Sequence, residues 1–367
     1  MWARTAALAN GVLRGDRLQL SRAITLVESH RRDQRQQAEL LMDHVLSVKR
    51  QRPHSAGRSV QLGVEDGVHS TQHSPHTVPD APVGPMGIRL GIAGPPGAGK
   101  STFIEALGTT LTGQGAKVAV VTIDPSSVHS GGSILGDKTR MERLSRDPRA
   151  FIRACPARGV LGGIAMYTHD VVLLCQAAGF DVVVVETVGL GQSEVEVEHT
   201  VDMLLLLLPP VGGDDLQGSK KGIIEVADAV VVNKVDGPLE KAARATASDY
   251  ASAMGYARRK LAFWDPPVLC CSALTGQGVD AVWEKVLQFH SALDGEGLLI
   301  GRRAEQGRHW MMRHLEHQLM DRASHDTAVQ ALARSLEPDL AAGTLSPRAA
   351  AERLVDRFVR ASAAAGA

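Results

Sequence analysis

Apolar residues recur along this chain in two rhythms, and the change between them divides it. From about Ala3 to Lys49 they return every three or four positions, with Leu18, Ile24 and Val27 on one stripe and Leu40, Leu41 and Val45 on the next, as in amphipathic helices. Gln51 to Pro85 loses that rhythm, is rich in Ser, His, Pro and Gly, and reads as a flexible linker or an insert. Beyond Gly87, short unbroken apolar runs alternate with helical stretches. The runs Ile88–Ala93, Val118–Ile123, Phe151–Ala154, Val182–Glu186, Met203–Leu208, Ala229–Val232 and Val268–Cys271 predict a mostly parallel sheet with helices on both faces. From Arg302 onward the helical period returns and ends in the alanine-rich Ala361–Ala367, expected to fray. Four regions follow: a helical arm (residues 1–50), the linker or insert (51–86), an α/β domain (87–291) and a C-terminal helical region (292–367) suited to dimerisation. Trp310, Leu315 and Leu319 fit either a dimer contact or a packed helical cap.

A chain of 367 residues can bury one large α/β core with appendages. Its net charge of +0 gives no electrostatic case for nucleic acid or an anionic membrane as the main partner. The longest apolar runs, such as Val201–Leu208, are too short to span a bilayer. Cys155, Cys175, Cys270 and Cys271 include no CxxC pair, and the adjacent two fit a buried strand better than a disulfide framework or a zinc site. A reducing compartment is therefore expected.

Chemistry enters at Gly94-Pro95-Pro96-Gly97-Ala98-Gly99-Lys100-Ser101, a complete Walker A loop between the strand Ile88–Ala93 and a helix expected over Ser101–Leu111. Gly94, Gly97, Ala98 and Gly99 let backbone N–H groups close around phosphate oxygens, and Lys100 reaches the terminal phosphates. The Ser101 hydroxyl coordinates magnesium, and Thr102 continues the phosphate-binding turn at the helix N-terminus. A second motif, Asn233-Lys234-Val235-Asp236, follows the run Ala229–Val232 and so lies at the C-terminal end of a strand. The Asp236 carboxylate can accept from the ring N–H and exocyclic amine of guanine, which adenine does not offer in that order. Asn233 and Lys234 brace the loop and cover the ring. A third loop, Cys271-Ser272-Ala273-Leu274, resembles the element that supports guanine from its other side, through Ser272, Ala273 and Leu274.

Between the phosphate and base loops lie three acids suited to a magnesium site with Ser101: Asp124 at a strand end, Asp137 in the glycine-rich Gly131–Met141, and Glu186 at the end of the next strand. Glu186-Thr187-Val188-Gly189 takes the place of the DxxG of small GTPases, and the Gly189 N–H is expected at the γ-phosphate. The residue after it is Leu190, which cannot orient water as the glutamine of Ras-type enzymes does, so hydrolysis by the isolated chain is expected to be slow.

The strings IDPSS at Ile123–Ser127, GGSILGDKTRM at Gly131–Met141, VETVGLGQSE at Val185–Glu194, LQGSKKGI at Leu216–Ile223 and VNKVD at Val232–Asp236 closely resemble the MeaB/ArgK/MMAA family, P-loop GTPases associated with methylmalonyl-CoA mutase. The likeness covers about Ala6 to Leu46, including GDRLQLSRAITLVES at Gly15–Ser29, and resumes at Gly87. It implies an α/β P-loop NTPase fold with helical extensions at both termini, and a homodimer joined through terminal helices. The activity implied is that of a GTP-hydrolysing chaperone that docks on an adenosylcobalamin-dependent acyl-CoA mutase, gates cofactor loading, and protects or reactivates the mutase. GTP or GDP is then the ligand and Mg2+ the metal, and adenosylcobalamin is met only through the partner. By motif, Lys100, Ser101, Asp124, Asp137 and Glu186 fall on the nucleotide and magnesium positions. Asp214 and Lys220 fall on an extra switch that couples the mutase to hydrolysis, with Lys220 the cation that meets charge developing on the phosphoryl oxygens.

Two other readings stand beside this one. A GTP-dependent metallochaperone for a nickel or cobalt enzyme is the first, since His69, His73, His76, His314 and His317 are potential ligands, although the chain has no CxCC motif. A kinase is the second, against which stands the absence of a recognisable acceptor site. The start, Met1-Trp2-Ala3-Arg4, leads almost at once into family-like helix, whereas mitochondrial relatives carry an Arg- and Ser-rich presequence. Bacterial cytoplasm and mitochondrial matrix both remain open; secretion is not expected.

Overall fold

Strands buried on both faces require unbroken apolar sequence, and the valine- and leucine-rich runs build one parallel sheet. The computed structural model describes residues 2–29, 31–51, 87–124, 141–156, 166–187, 193–210, 221–255 and 260–365. Nearly all of the linker or insert lies outside these, as do Asp137, Gly189, Asp214 and Lys220.

The arm forms three helices, α1 (Trp2–Leu13), α2 (Arg17–Val27) and α3 (Arg32–Gln51). Asp16 caps α2, its carboxylate accepting from the N–H groups of Leu18 and Gln19. The buried face of α2 is Leu20, Ala23, Ile24 and Val27, while Leu18 is 59% exposed. Leu18 therefore leaves the expected stripe, because the six residues to Ile24 turn the helix by about 240°. In α3, Leu41 and Val45 are buried and Leu40 faces outward.

The sheet domain then alternates β1 (Ile88–Ala93), α4 (Lys100–Gly113), β2 (Val118–Asp124), α5 (Glu142–Arg146), β3 (Ala150–Pro156), α6 (Thr168–Ala177), β4 (Val182–Glu186), α7 (Ser193–Glu198) and β5 (Met203–Leu208). It continues with α8 (Lys221–Val226), β6 (Ala229–Val232), α9 (Glu240–Gly255), β7 (Val268–Cys270) and α10 (Val279–Gly295). The strand order is β3-β2-β4-β1-β5-β6-β7, and every pairing is parallel. All the C-terminal strand ends therefore share one rim. Phe103, Leu107 and Leu111 of α4 and Val282, Val286 and Phe289 of α10 cover the sheet in one continuous core. The arm packs on α6, and an ion pair between Glu28, which caps the C-terminus of α2, and Arg153 of β3 ties it to the edge strand.

The helices α11 (Leu298–His325), α12 (Thr327–Ala341) and α13 (Pro347–Ala365) complete the chain, which divides into compact units at Met1–Gln306 and Gly307–Ala367. The alanine-rich end is helical through Ala365, where fraying was expected, because alanine has the highest helix propensity. In the second unit Trp310 is buried, while Leu315 and Leu319 are each 47% exposed. Among the described residues no helix is long and apolar enough to cross a membrane.

At the opposite rim of the sheet, two acids before the strands collect the first turns of α11. Asp202, 1% exposed, accepts from the Arg89 N–H at 2.9 Å and from the Arg303 guanidinium at 2.9 and 2.6 Å. Arg303 also donates to the Gly87 carbonyl at 2.7 Å, and the Arg89 guanidinium donates to Gln176. Asp228 plays the same part for Lys260 and Arg302, and accepts from the Leu204 N–H at 2.9 Å. Burial alone would raise the Asp202 pKa, but the hydrogen bond and charge of Arg303, with the charge and N–H of Arg89, outweigh it and hold the carboxyl below its ordinary value. A depressed carboxylate stabilises the fold above its unfolded pKa, and that contribution is lost as pH falls through the folded one. Arg303→Ala should therefore cost about 3–5 kcal/mol in urea unfolding by stranding a buried charge. The acid-induced loss of stability should also be shallower in Asp202→Asn than in the parent, and identical pH profiles would contradict it.

Candidate nucleotide-binding site

The rim formed by the strand ends carries the three loops singled out in the sequence. β1 ends at Ala93 and turns through Gly94–Gly99 into α4. Gly94 (φ 148°), Gly97 (φ 81°) and Gly99 (φ 88°) all have positive φ, but for separate reasons. A Cβ on Gly94 would lie 2.0 Å from the Leu207 carbonyl oxygen of β5, and one on Gly99 would lie 2.6 Å from Asn233 Nδ2, whereas no described residue stands within 4 Å at Gly97. The loop therefore rests on β5 and on the base loop and faces outward at Gly97.

Lys100 is buried, and its Nζ donates to the carbonyls of Gly94 at 2.7 Å and Pro95 at 3.3 Å, which holds the cation inside the curve of the loop. Ser101, in the first turn of α4, donates its hydroxyl to Glu186 Oε1 at 3.1 Å. That contact follows from the register, since Ile92 of β1 lies opposite Glu186, the last residue of β4. Asp124 ends β2, whose Thr122 also lies opposite Glu186, so two of the three predicted acids belong to adjacent strand ends. Thr187, 1% exposed, donates its N–H to the Ile92 carbonyl at 3.0 Å and carries the pairing one residue further.

The second loop leaves β6 at Val232. Asn233 is buried, and its side-chain amide spans three segments: Nδ2 donates to the Ala98 carbonyl at 2.9 Å, while Oδ1 accepts from the Ala273 N–H at 2.9 Å and from the Cys271 thiol at 3.6 Å. Lys234 has φ 63°, a left-handed conformation costly for a side-chain-bearing residue. It is held there from both sides, since Asn233 N–H donates to Leu208 O at 2.8 Å and Val235 N–H to Cys271 O at 3.0 Å. Asp236 follows in extended conformation, and its Oδ1 is buried with no hydrogen-bond partner among the described residues. A buried carboxylate oxygen left without a donor is costly unless a ligand supplies one.

The third loop closes on itself: Ser272 N–H donates to Gln277 O at 2.8 Å, and its hydroxyl accepts from Thr275 N–H at 3.2 Å. Ser272 and Ala273 are buried, whereas Leu274 is 79% exposed. Of the predicted site residues, the structure brings Gly94, Gly97, Ala98, Gly99, Lys100, Ser101, Thr102, Asp124, Glu186, Asn233, Lys234, Asp236, Ser272, Ala273 and Leu274 to one rim. Asp137, Gly189, Asp214 and Lys220 lie outside the described residues. Motif reading gave no part to Thr187 or to the Cys271 thiol, because neither is a fixed position of any motif used.

A family profile described as "Methylmalonyl Co-A mutase-associated GTPase MeaB" matches residues 82–328. Among similar proteins, "Methylmalonic aciduria type A homolog, mitochondrial" of Mus musculus is 40% identical over 96% of this chain and 79% of its own length. A "Putative GTPase" of Caulobacter vibrioides is 43% identical over 96% of this chain and 97% of its own. The crystal structure of a LAO/AO transport system kinase superposes with a TM-score of 0.68 at 32% identity, covering 98% of both chains.

The Asn233 amide joins all three loops, so its removal should loosen every one of them. Asn233→Ala is expected to weaken GTP binding about 10- to 100-fold, the effect of one or two buried hydrogen bonds lost together. Titration calorimetry against Mg·GTP reads this directly, and an unchanged affinity would refute it.

Proposed function

The chain belongs to the MeaB family of methylmalonyl-CoA mutase-associated GTPases, and from that premise we propose that it grips Mg·GTP across this rim and uses its hydrolysis to time an action on a mutase. The observation that carries the reading is the buried Asp236 Oδ1, which has no hydrogen-bond partner among the described residues and is tied through its loop to the Walker A segment by Asn233. Guanine supplies the donors that this oxygen lacks, and its phosphates meet the N–H groups of Gly97–Ser101 and the Lys100 ammonium.

The oxygen-only donors Ser101 and Glu186, 3.1 Å apart, fit a hard divalent cation. In this reading they hold magnesium with Asp124 and Asp137, and the ion supplies positive charge beside the phosphate oxygens. Lys100 neutralises charge developing on the transferred phosphoryl group, and the Gly189 N–H senses its presence. Leu190 cannot orient water, so turnover is slow until a partner engages the switch that holds Asp214 and Lys220.

The partner in this reading is an adenosylcobalamin-dependent acyl-CoA mutase, methylmalonyl-CoA mutase first among them, whose cofactor loading and rescue the chain gates. Its setting in this reading is the mitochondrial matrix or the bacterial cytoplasm; the mouse relative is named as mitochondrial, and the Caulobacter relative is bacterial. A pulldown with the mutase, in GDP and in a non-hydrolysable GTP analogue, should differ between the two nucleotides. The mutase should also raise GTP turnover of the parent at least tenfold and of Lys220→Ala far less. Equal capture in both nucleotides, or equal stimulation of the variant, would contradict the coupling. Stoichiometric tight binding of nickel or cobalt would instead favour metal delivery, and a labelled phosphoprotein product would favour a kinase.

A homodimer is supported by the second unit, where Met311, Leu315, Leu319 and Met320 of α11 and Val355 and Val359 of α13 are each at least 47% exposed. Leu315→Glu with Leu319→Glu should convert a dimer to a monomer in sedimentation analysis. A parent chain already monomeric at micromolar concentration would refute the assignment.

A further inference from the structure

Cys271 grips the base loop at three points. Its N–H donates to the Val232 carbonyl at 2.9 Å and its own carbonyl accepts from the Val235 N–H at 3.0 Å, so its backbone brackets Asn233 and Lys234. Its thiol, in a residue 2% exposed, lies 3.6 Å from Asn233 Oδ1, the oxygen that also accepts from Ala273 N–H at 2.9 Å. Two donors on one side of a planar amide decide which end is oxygen. The nitrogen end is then left for the Ala98 carbonyl, 2.9 Å away. Turned over, the amide would set N–H against N–H on one side and oxygen against carbonyl on the other. Burial, with a smaller contribution from Cys270, pushes the Cys271 thiol up to about 12, so at neutral pH it stays a donor.

We propose that Cys271 is a positioning residue for purine recognition, its thiol selecting the Asn233 amide orientation that ties the base loop to the phosphate loop and holds Asp236 in place. The inference rests on reading Asp236 as the acceptor for guanine. A thiol is a weak donor, so the effect is moderate and falls on nucleotide discrimination.

The test compares the parent chain with Cys271→Ala, Cys271→Ser and Asp236→Ala. Release of fluorescent GDP and relative affinity for GTP over ITP, which lacks the amine that Asp236 reads, are measured beside thermal unfolding of each. Cys271→Ala should release GDP about three- to tenfold faster and lose part of the GTP-over-ITP preference, while Cys271→Ser, which keeps a donor, stays close to the parent. Unchanged release in the alanine variant would overturn the proposal, as would equal impairment of both cysteine variants, which would point to packing alone. If the alanine variant does not fold, Cys271→Val removes the donor at similar volume and is judged the same way. An undiminished GTP-over-ITP preference in Asp236→Ala would instead remove the guanine reading itself, whatever the cysteine variants do.

Discussion

The planar amide of Asn233 offers one acceptor face and one donor face, and the sheet supplies groups to match both. Its nitrogen meets a phosphate-loop carbonyl, and its oxygen meets an N–H and a thiol from the loop after β7. Three segments that begin on different strands become one rigid surface, because none can shift without leaving a buried polar atom unsatisfied. The geometry exists only because β1, β6 and β7 run the same way, β6 and β7 ending in register and β1 two residues short of them, so that their loops open at one rim. Parallel pairing and a single asparagine together convert strand order into a binding site.

The far rim is organised by the opposite means. There the strands begin, and charge rather than a neutral amide does the joining: Asp202 and Asp228 draw Arg303 and Arg302 against the entries to β5 and β6. Buried ion pairs gain little net stability but penalise every arrangement that separates them. The start of α11 is thereby held to the sheet at two adjacent residues, and β1 is clipped on either side of its first residue, Ile88, through Gly87 and Arg89. The strand that delivers the phosphate loop is thus fixed at both ends.

Much of the site was legible in sequence because its positions are fixed by spacing. A phosphate loop needs glycines at set intervals between a strand and a helix, and runs such as Val182–Glu186 can be little else than fully buried strands. The far-rim cluster was not legible, since Asp202 and Arg303 meet across 101 residues and no local pattern marks either. Leu18 and Leu40 recur at roughly helical spacing with the apolar stripes of the arm, but the exact turn of each helix carries both outward. The part of Cys271 was hidden for another reason, because a thiol in a strand-like run is indistinguishable from a core side chain until its neighbour is known. Asp137, Gly189, Asp214 and Lys220 lie outside the described residues, and their parts remain expectations from the sequence and its family resemblance.

The glycines of the Walker A segment differ in what confines them. Gly94 lies so close to β5 that even a methyl group would displace a neighbouring strand, and Gly99 is hemmed in by the base loop, whereas Gly97 is restricted by its dihedral angle alone. Inherited or engineered changes at these positions should therefore cause different defects. A lesion at Gly94 would surface as misfolded protein and low abundance, while one at Gly97 would leave a well-folded chain that is merely poor at holding its ligand.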